Sequence, residues 1–470
     1  MINTKYTNLI IFAALLAIGI RVILAWSYAP LYGNDSPSYA ALGEMIQTGS
    51  FSNYDGRRTP GYPLFMLLLG YNNHLIRLFQ HLCGLISIFL VYKVLRLELP
   101  ARSCWPLLIL MGFSIQFPFY ESIIQTEALS VLAIMASLYF FSAPTTHPIS
   151  NLTVASLIAS VGALIRPHLI ILVPIYIGLY AIQHRHSFRR IITGGVSLAL
   201  PFVILVGGWV GFNYITISRV TFTTLPKGDL IAHMIHYVSD ADDKYGEVKY
   251  AFEKAFTVKR ESVDIADDNR AGYTSYAGQL LRERGITNKL DLADTIHSMA
   301  VDLIKKHPFI YFKEVLSAWL RFWRVHIIIY AECFPKNSFL YDIALYLWLP
   351  IKCLWLVINS IFVLFIPLFL LLIMTPERRR LLVTIYCLLL GASASQALTQ
   401  YYDNARFAVP FQPLVGIAVA IIFATIIESY KILRTSGCRL SAPKRASSLN
   451  RDVLLRNTMK NEWCYRDDNR

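Results

Sequence analysis

Charge is scarce in this 470-residue chain: only 16% of its residues are Asp, Glu, Lys or Arg, against about 25% in soluble domains, while 55% are apolar or aromatic. Such a composition excludes a water-soluble globule, because the apolar surface outruns what one core can hide. Cysteine is equally uninformative. The seven cysteines are scattered, several inside apolar blocks, with no CxxC pair and no His/Cys ligand spacing. Neither a disulfide framework nor a zinc site is indicated, the cysteines read as buried small hydrophobes, and the pattern asks for no metal and no cofactor. No internal repeat is visible, which weakens a transporter built from duplicated halves. The first apolar segment is not followed by a small-residue cleavage site, so it reads as a retained first helix rather than a removed signal peptide.

What is present is a series of long apolar blocks, such as Leu9 to Tyr28, Ile358 to Met374 and Val409 to Ile427. Each approaches the ~20 residues a helix needs to cross a bilayer. About ten spans are expected, with a range of eight to twelve: 8–28, 74–95, 104–119, 122–142, 151–165, 168–183, 190–212, 341–374, 381–400 and 408–428. The fold class is therefore an all-α, polytopic membrane helix bundle. The net charge of +14 could point to nucleic acid, but it sits in short loops and in the last 40 residues, which is a topology signal. Lys93, Arg96 and Arg102, then Arg185, Arg189 and Arg190, then Arg378, Arg379 and Arg380 fall on one side when ten spans are counted from an inside N-terminus. Positive loops stay in the cytoplasm, which makes the expected location the cytoplasmic, or inner, membrane and leaves no nucleic-acid partner.

Four parts follow. Residues 1–212 form an N-terminal membrane module whose first outer loop is 29–73; 213–340 form an extracytoplasmic loop domain; 341–428 are the C-terminal spans; 429–470 are a basic cytoplasmic tail, expected to be a disordered strip near anionic lipid. In the first outer loop, Asn34-Asp35-Ser36-Pro37 reads as a helix start. In the outer domain Leu292, Ile296, Met299 and Leu303 recur at helical spacing before Lys305-Lys306-His307-Pro308, and 309–324 reads as a helix lying at the interface.

With this topology the unusual polar residues gather on the outer side: Asp35, Tyr39, Arg57 and Arg58 in the first outer loop, Glu121 and Glu127 entering the fourth span, Arg166 at a turn, and Asp403 and Arg406 in the last loop. Asp35 and Tyr39 are four apart and share a helix side. Asp35 is either a helix cap or a functional carboxylate. Glu127, about one turn inside an apolar helix, is either functional or paired with a neighbouring helix. Arg21, Arg77, Gln80 and His81 fit snorkelling and interhelical hydrogen bonding.

The run Asn34-Asp35 with Tyr39, then Thr48-Gly49-Ser50-Phe51, then Arg58-Thr59-Pro60-Gly61-Tyr62-Pro63 resembles the first outer loop of the GT-C glycosyltransferases, the group that contains protein O-mannosyltransferases and the aminoarabinose transferases of lipid A. Further matches follow in order: Thr126-Glu127, Arg166-Pro167, Trp209 with Asn213, His307-Pro308, and Arg406-Phe407 with Pro410 and Pro413. The resemblance runs over most of residues 8–425. One departure is that those subgroups often carry Lys-Pro-Pro or His-Pro-Pro where this chain has Arg58-Thr59-Pro60-Gly61, so it lends no acceptor identity.

The resemblance implies a glycosyltransferase, hexosyl or pentosyl, moving a sugar from a polyprenyl-phosphate donor to a lipid, glycan or protein acceptor. It implies Asp35 as the catalytic or substrate-orienting carboxylate and Arg58 as a residue that binds the lipid-linked phosphate; Arg166 and Arg406 are further candidates to hold that phosphate, and Tyr39, Tyr62 and Glu127 to bind substrate. Physical logic agrees. A polyprenyl phosphate is already a good leaving group and needs cations rather than an acid, so one base with two or three arginines suffices where glycoside hydrolysis uses two carboxyl groups. Attack opposite the phosphate inverts the anomeric centre. The alternative is a transporter or flippase of lipid-linked or small solutes, which should carry ionisable residues near the midplane.

Overall fold

The structure is a computed structural model and describes residues 4–262, 270–286, 288–367, 380–402 and 404–440. Among these residues it is helical throughout, with no β-strand and one isolated parallel bridge between Leu31 and Ile123. Among the described residues seven helices are long and apolar enough to cross a membrane: Tyr6–Ser27, Asn73–Leu95, Pro148–Ile165, Phe188–Ile217, Phe339–Leu364, Arg380–Thr399 and Asn404–Ile427. Two shorter apolar helices, Glu127–Ser142 and Pro167–Gln183, lie among them. The chain is thus a multi-pass membrane protein, as its composition requires.

The remaining expected span, 104–119, is broken. It consists of Trp105–Phe113 and Gln116–Ser122, separated at Ser114, whose hydroxyl donates to the Leu110 carbonyl at 2.6 Å and accepts the Trp355 indole N–H at 2.9 Å. A side chain that bonds backbone and a neighbouring helix together stabilises such an interruption inside a packed bundle. In the described part of the expected block 341–374 stands the helix Phe339–Leu364, with Pro350 inside it; residues 368–379, with Arg378 and Arg379, lie outside the described residues. The tail expectation needs correction. The last helix, Gln412–Leu440, continues well past Glu428, because nothing in 429–440 is a Pro and the straight-chain residues there favour helix. Residues 441–470 lie outside the described residues. The chain divides into two units, 1–422 and 423–470, the second described here only by the continuation of that helix.

Within 213–340 the helices Gly246–Ser262, Arg270–Glu283 and Lys289–Lys306 enclose a core of their own, with Phe252, Leu281, Met299 and Leu303 fully buried. The apolar repeat read from the sequence is the buried face of the last of these, capped by Asn288, which accepts from the Leu290 and Asp291 amides. Next comes Pro308–Phe322, which leaves Phe309 88%, Phe312 67% and Leu320 55% exposed along one side.

The first outer loop is pinned at both ends. The Leu31 amide donates to the Ser122 carbonyl and the Ile124 amide to the Leu31 carbonyl, while the Ser36 hydroxyl donates to the Ile124 carbonyl at 2.6 Å. Helix Ser36–Thr48 then starts with Pro37 in its first turn and ends at Gly49, whose φ of 68° is one that L side chains rarely adopt. Further on, the Thr224 amide donates to the Gly56 carbonyl, and the Thr223 and Thr224 hydroxyls donate to the Arg57 and Asp55 carbonyls. Loop 55–58 and the start of the outer domain are therefore one laced unit.

Gly61 starts helix Gly61–Leu68 where the chain presses against the end of Pro148–Ile165; a Cβ there would stand 2.7 Å from the backbone of Leu164 and Ile165. Backbone cannot rotate aside as a side chain can. Gly61→Ala is expected to cost about 1–3 kcal/mol through overpacking, seen as a lower unfolding temperature in detergent, whereas Gly178→Ala, with no heavy atom within 4 Å of its added Cβ, should not fall.

Candidate active site

The lacing brings Asp35 to the break before Glu127–Ser142 and to the start of the last span. Asp35 occupies the N-cap position of Ser36–Thr48, yet its side chain makes no capping bond. It is used otherwise: Oδ1 accepts from Arg58 Nη2 at 2.5 Å and Oδ2 from Arg406 Nη2 at 3.0 Å. The reading of Asp35 as only a cap is thereby removed. Burial would raise its carboxyl, but the two guanidiniums outweigh that and hold it down to about 2, from an ordinary 3.8.

Arg406 reaches further, donating Nε to Glu127 Oε1 at 2.9 Å and Nη2 to Gln125 Oε1 at 2.9 Å. Glu127, 1% exposed, also pairs with Arg166 Nη1 at 3.1 Å, and Arg166 donates to the Thr126 hydroxyl at 3.2 Å while its guanidinium lies over the Phe407 ring. Arg58 is fixed by the Ser38 hydroxyl at 2.8 Å, by the Tyr39 hydroxyl at 3.3 Å, and by stacking 4.5 Å from the Tyr39 ring centroid. Two carboxylates thus hold three guanidiniums, and this cluster keeps one positive charge in excess.

The cluster forms part of the wall of a cavity of about 390 Å³, open to solvent, with Asp35, Tyr39, Arg58, Arg166 and Arg406 in its lining beside Arg57, Thr126, His168, Phe222, Asp229, Gln396, Gln400, Tyr402 and Phe407. Of the seven site candidates, five therefore line the cavity. The other two stand behind it: Glu127 beneath the arginines it pairs with, and Tyr62 behind Tyr39, ring edge to ring face at 5.0 Å, donating to Gln80 Oε1 at 2.7 Å. Glu121 is elsewhere, bonded to Arg21 at 2.6 and 2.8 Å and to His81 at 2.8 Å, and Gln80 and Arg77 bond backbone carbonyls of neighbouring segments. Arg21, Arg77, Gln80 and His81 brace the bundle, as their structural reading held, while Glu121, expected with the outer cluster, is paired with Arg21 and His81 instead. Asp403 lies outside the described residues. Ser38, Gln125, Asp229 and Tyr402 were not singled out in the sequence; Ser38 and Gln125 flank quoted motifs, but nothing in their spacing marks Asp229 or Tyr402. Among the described residues no group of three His, Cys, Asp or Glu side chains is arranged to hold a metal ion.

Comparison with known proteins bears on the chemistry. Residues 62–209 match the dolichyl-phosphate-mannose-protein mannosyltransferase family. The match covers less than half of the chain; it begins inside the Arg58–Pro63 run, takes in Thr126-Glu127 and Arg166-Pro167, ends at Trp209, and leaves Asp35, Arg58 and Arg406 outside. No curated protein sequence matches the chain significantly. Among solved structures, the oligosaccharyltransferase AglB from Archaeoglobus fulgidus, in complex with an inhibitory peptide and a dolichol-phosphate, is similar over 94% of this chain and 53% of its own, at 13% identity and TM-score 0.46. ArnT from Cupriavidus metallidurans bound to undecaprenyl phosphate is similar over 87% of this chain and 78% of its own, at 14% identity and TM-score 0.38. The chain spans about half the length of the archaeal protein.

The ion pairs make two measurable demands. Glu127→Gln leaves Arg166 and Arg406 short of a buried partner, and loss of one member of such a set costs about 3–5 kcal/mol, expected as a fall in detergent unfolding temperature that Asp240→Asn, half exposed in the outer domain, does not share. Asp35 has a folded value below its unfolded one, so its pairing stabilises above pH 3.8 and that contribution is lost as pH falls toward 2. The unfolding temperatures of wild type and Asp35→Asn are therefore expected to differ at neutral pH and to converge over that acid window.

Proposed function

We propose that this protein is a glycosyltransferase of the cytoplasmic membrane, moving a hexosyl or pentosyl group from a polyprenyl-phosphate donor to a lipid, glycan or protein acceptor on the extracytoplasmic side. The observation that carries the reading is Asp35 shared between Arg58 and Arg406 in the wall of an open cavity. Guanidiniums match phosphate oxygens in pairs, and a cluster with one unbalanced positive charge favours an incoming anion. The family match over 62–209 supports transfer rather than transport.

In the proposed step, the donor phosphate draws Arg58 and Arg406 toward its oxygens, with Arg166 behind them. Released from two cations, Asp35 regains basicity at the moment the donor is seated. The acceptor oxygen or nitrogen then attacks the anomeric carbon opposite the phosphate, the carbon–oxygen bond to phosphate breaks, polyprenyl phosphate departs with the electron pair, and the acceptor proton passes to Asp35. The product is inverted. Glu127 does not touch the reacting atoms in this scheme; it retains Arg166 and Arg406 in place.

Asp35→Asn is the decisive variant. Its amide keeps the shape and can stay inserted, but it takes no proton, and loss of a positioned base costs about 10²–10⁴ in rate; wild-type transfer by purified Asp35→Asn protein would end the proposal for that residue. Arg58→Ala and Arg406→Ala are each expected to weaken donor affinity by about 1.5–3 kcal/mol, the worth of a charge-assisted hydrogen bond, with Lys431→Ala in the tail as the unaffected control.

Sidedness follows from the basic loops and is checked separately. Single cysteines introduced in a cysteine-free background at positions 188 and 240 should label oppositely in intact cells, 240 from outside and 188 only after permeabilisation. Labelling of 188 alone from outside would invert the arrangement.

A further inference from the structure

The cavity contains an acid that the transfer step leaves unused. Asp229 ends the short helix Leu225–Asp229 and lines the same cavity as Asp35. Its Oδ1 accepts the Tyr402 hydroxyl, and among the described residues its Oδ2 takes no hydrogen bond and is not sealed from solvent. Burial raises its carboxyl although Arg57 and Arg58 act against this, so Asp229 lacks the firm cationic partners that fix Asp35. The same cavity is lined by the aromatic residues Phe222, Tyr402 and Phe407, of which Tyr402 touches Asp229. Tyr402 itself stands next to the start of the last span, so the bond joins the outer domain to the segment carrying Arg406.

A carboxylate oxygen with open lone pairs, in a cavity that also carries aromatic rings, matches the chemistry of a sugar ring, whose hydroxyls donate hydrogen bonds and whose C–H faces pack on aromatic carbon. A phosphate would be repelled there, and an apolar chain would leave the carboxylate unpaired. We infer that Asp229, oriented by Tyr402, is a sugar-hydroxyl clamp in the cavity. The inference rests on the transferase reading and extends it by naming the group held beside the phosphate. The hydroxyls belong either to the donor's sugar or to a glycan acceptor.

Equilibrium binding to the purified full chain in detergent separates these. The probes are bare undecaprenyl phosphate and the same lipid carrying mannose, glucose, galactose or arabinose. Wild type is expected to bind at least one sugar-bearing lipid about tenfold more tightly than the bare lipid, as one hydrogen bond to a charged group allows. Asp229→Asn and Tyr402→Phe should lose most of that ratio through weaker binding of the sugar-bearing lipid, with bare-lipid affinity not lowered, which assigns the clamp to the donor sugar. If the ratio survives, methyl glycosides of the same sugars are tested by saturation-transfer NMR on chain saturated with bare lipid, and signal lost in the two variants assigns it to the acceptor. Folded variants that keep both the ratio and the glycoside signal overturn the clamp. Should Asp229→Asn not fold, Tyr402→Phe alone decides by the same readings. Failure of wild type to bind bare undecaprenyl phosphate would instead sink the transferase reading, and the glycosides tested without lipid would then judge the clamp by itself.

Discussion

A guanidinium with two carboxylates in reach has few places to go, and Arg406 is held in that way between Asp35 and Glu127. Each carboxylate comes from a different part of the chain, one from the loop after the first span and one from the helix after a broken segment, while the arginine opens the last span. Charge this deeply placed is tolerated only when compensated. The cluster therefore fixes three remote segments to one another. The bridge at Leu31 and Ile123, the Ser36 bond to Ile124 and the lacing of 55–57 to Thr223 and Thr224 all serve to deliver Asp35 and Arg58 to that junction.

The same pairing explains a tension in the site. A carboxylate held at about 2 is a feeble proton acceptor at neutral pH. Under the transferase reading that is a resting state rather than a defect, since the cations that quench the base are those the donor phosphate removes. Catalytic competence then depends on donor binding, and water in an empty cavity meets an inert carboxylate.

Much of this was legible in the chain. Apolar block length announced the spans, Asp35-Ser36-Pro37 announced a helix start, and the spacing of Ile296, Met299 and Leu303 announced a buried face, because each depends on local sequence. The placement of Asp35, Arg58, Arg166 and Arg406 around one cavity followed from topology, since segments emerging on one side of a bundle must crowd together. Other features were hidden. The interruption at Ser114 depends on an indole from residue 355, Tyr62 looks like its cavity-lining neighbours but points into packing against Gln80, and Asp229 acquires its neighbours only when the outer domain folds back. The helix through 429–440 was missed because a polar, basic stretch lacks apolar periodicity even where its backbone propensity is adequate.

The apolar stripe of Pro308–Phe322 has a mechanical side. Phe309, Phe312, Leu316 and Leu320 present oily surface outward, while on its other side the helix is bolted to the Arg380–Thr399 helix through Tyr311 to the Leu398 carbonyl and Trp319 to Ser393. Gln396 and Thr399 at the end of that partner, and Gln400 just past it, are cavity wall. Were such a face to settle at a headgroup boundary, it would act as a float, and the two bonds would tie the level of the cavity rim to it. Under the transferase reading, a bilayer of different thickness would then carry the rim along with its headgroups, because the helix that sets the level of the cavity moves with that boundary.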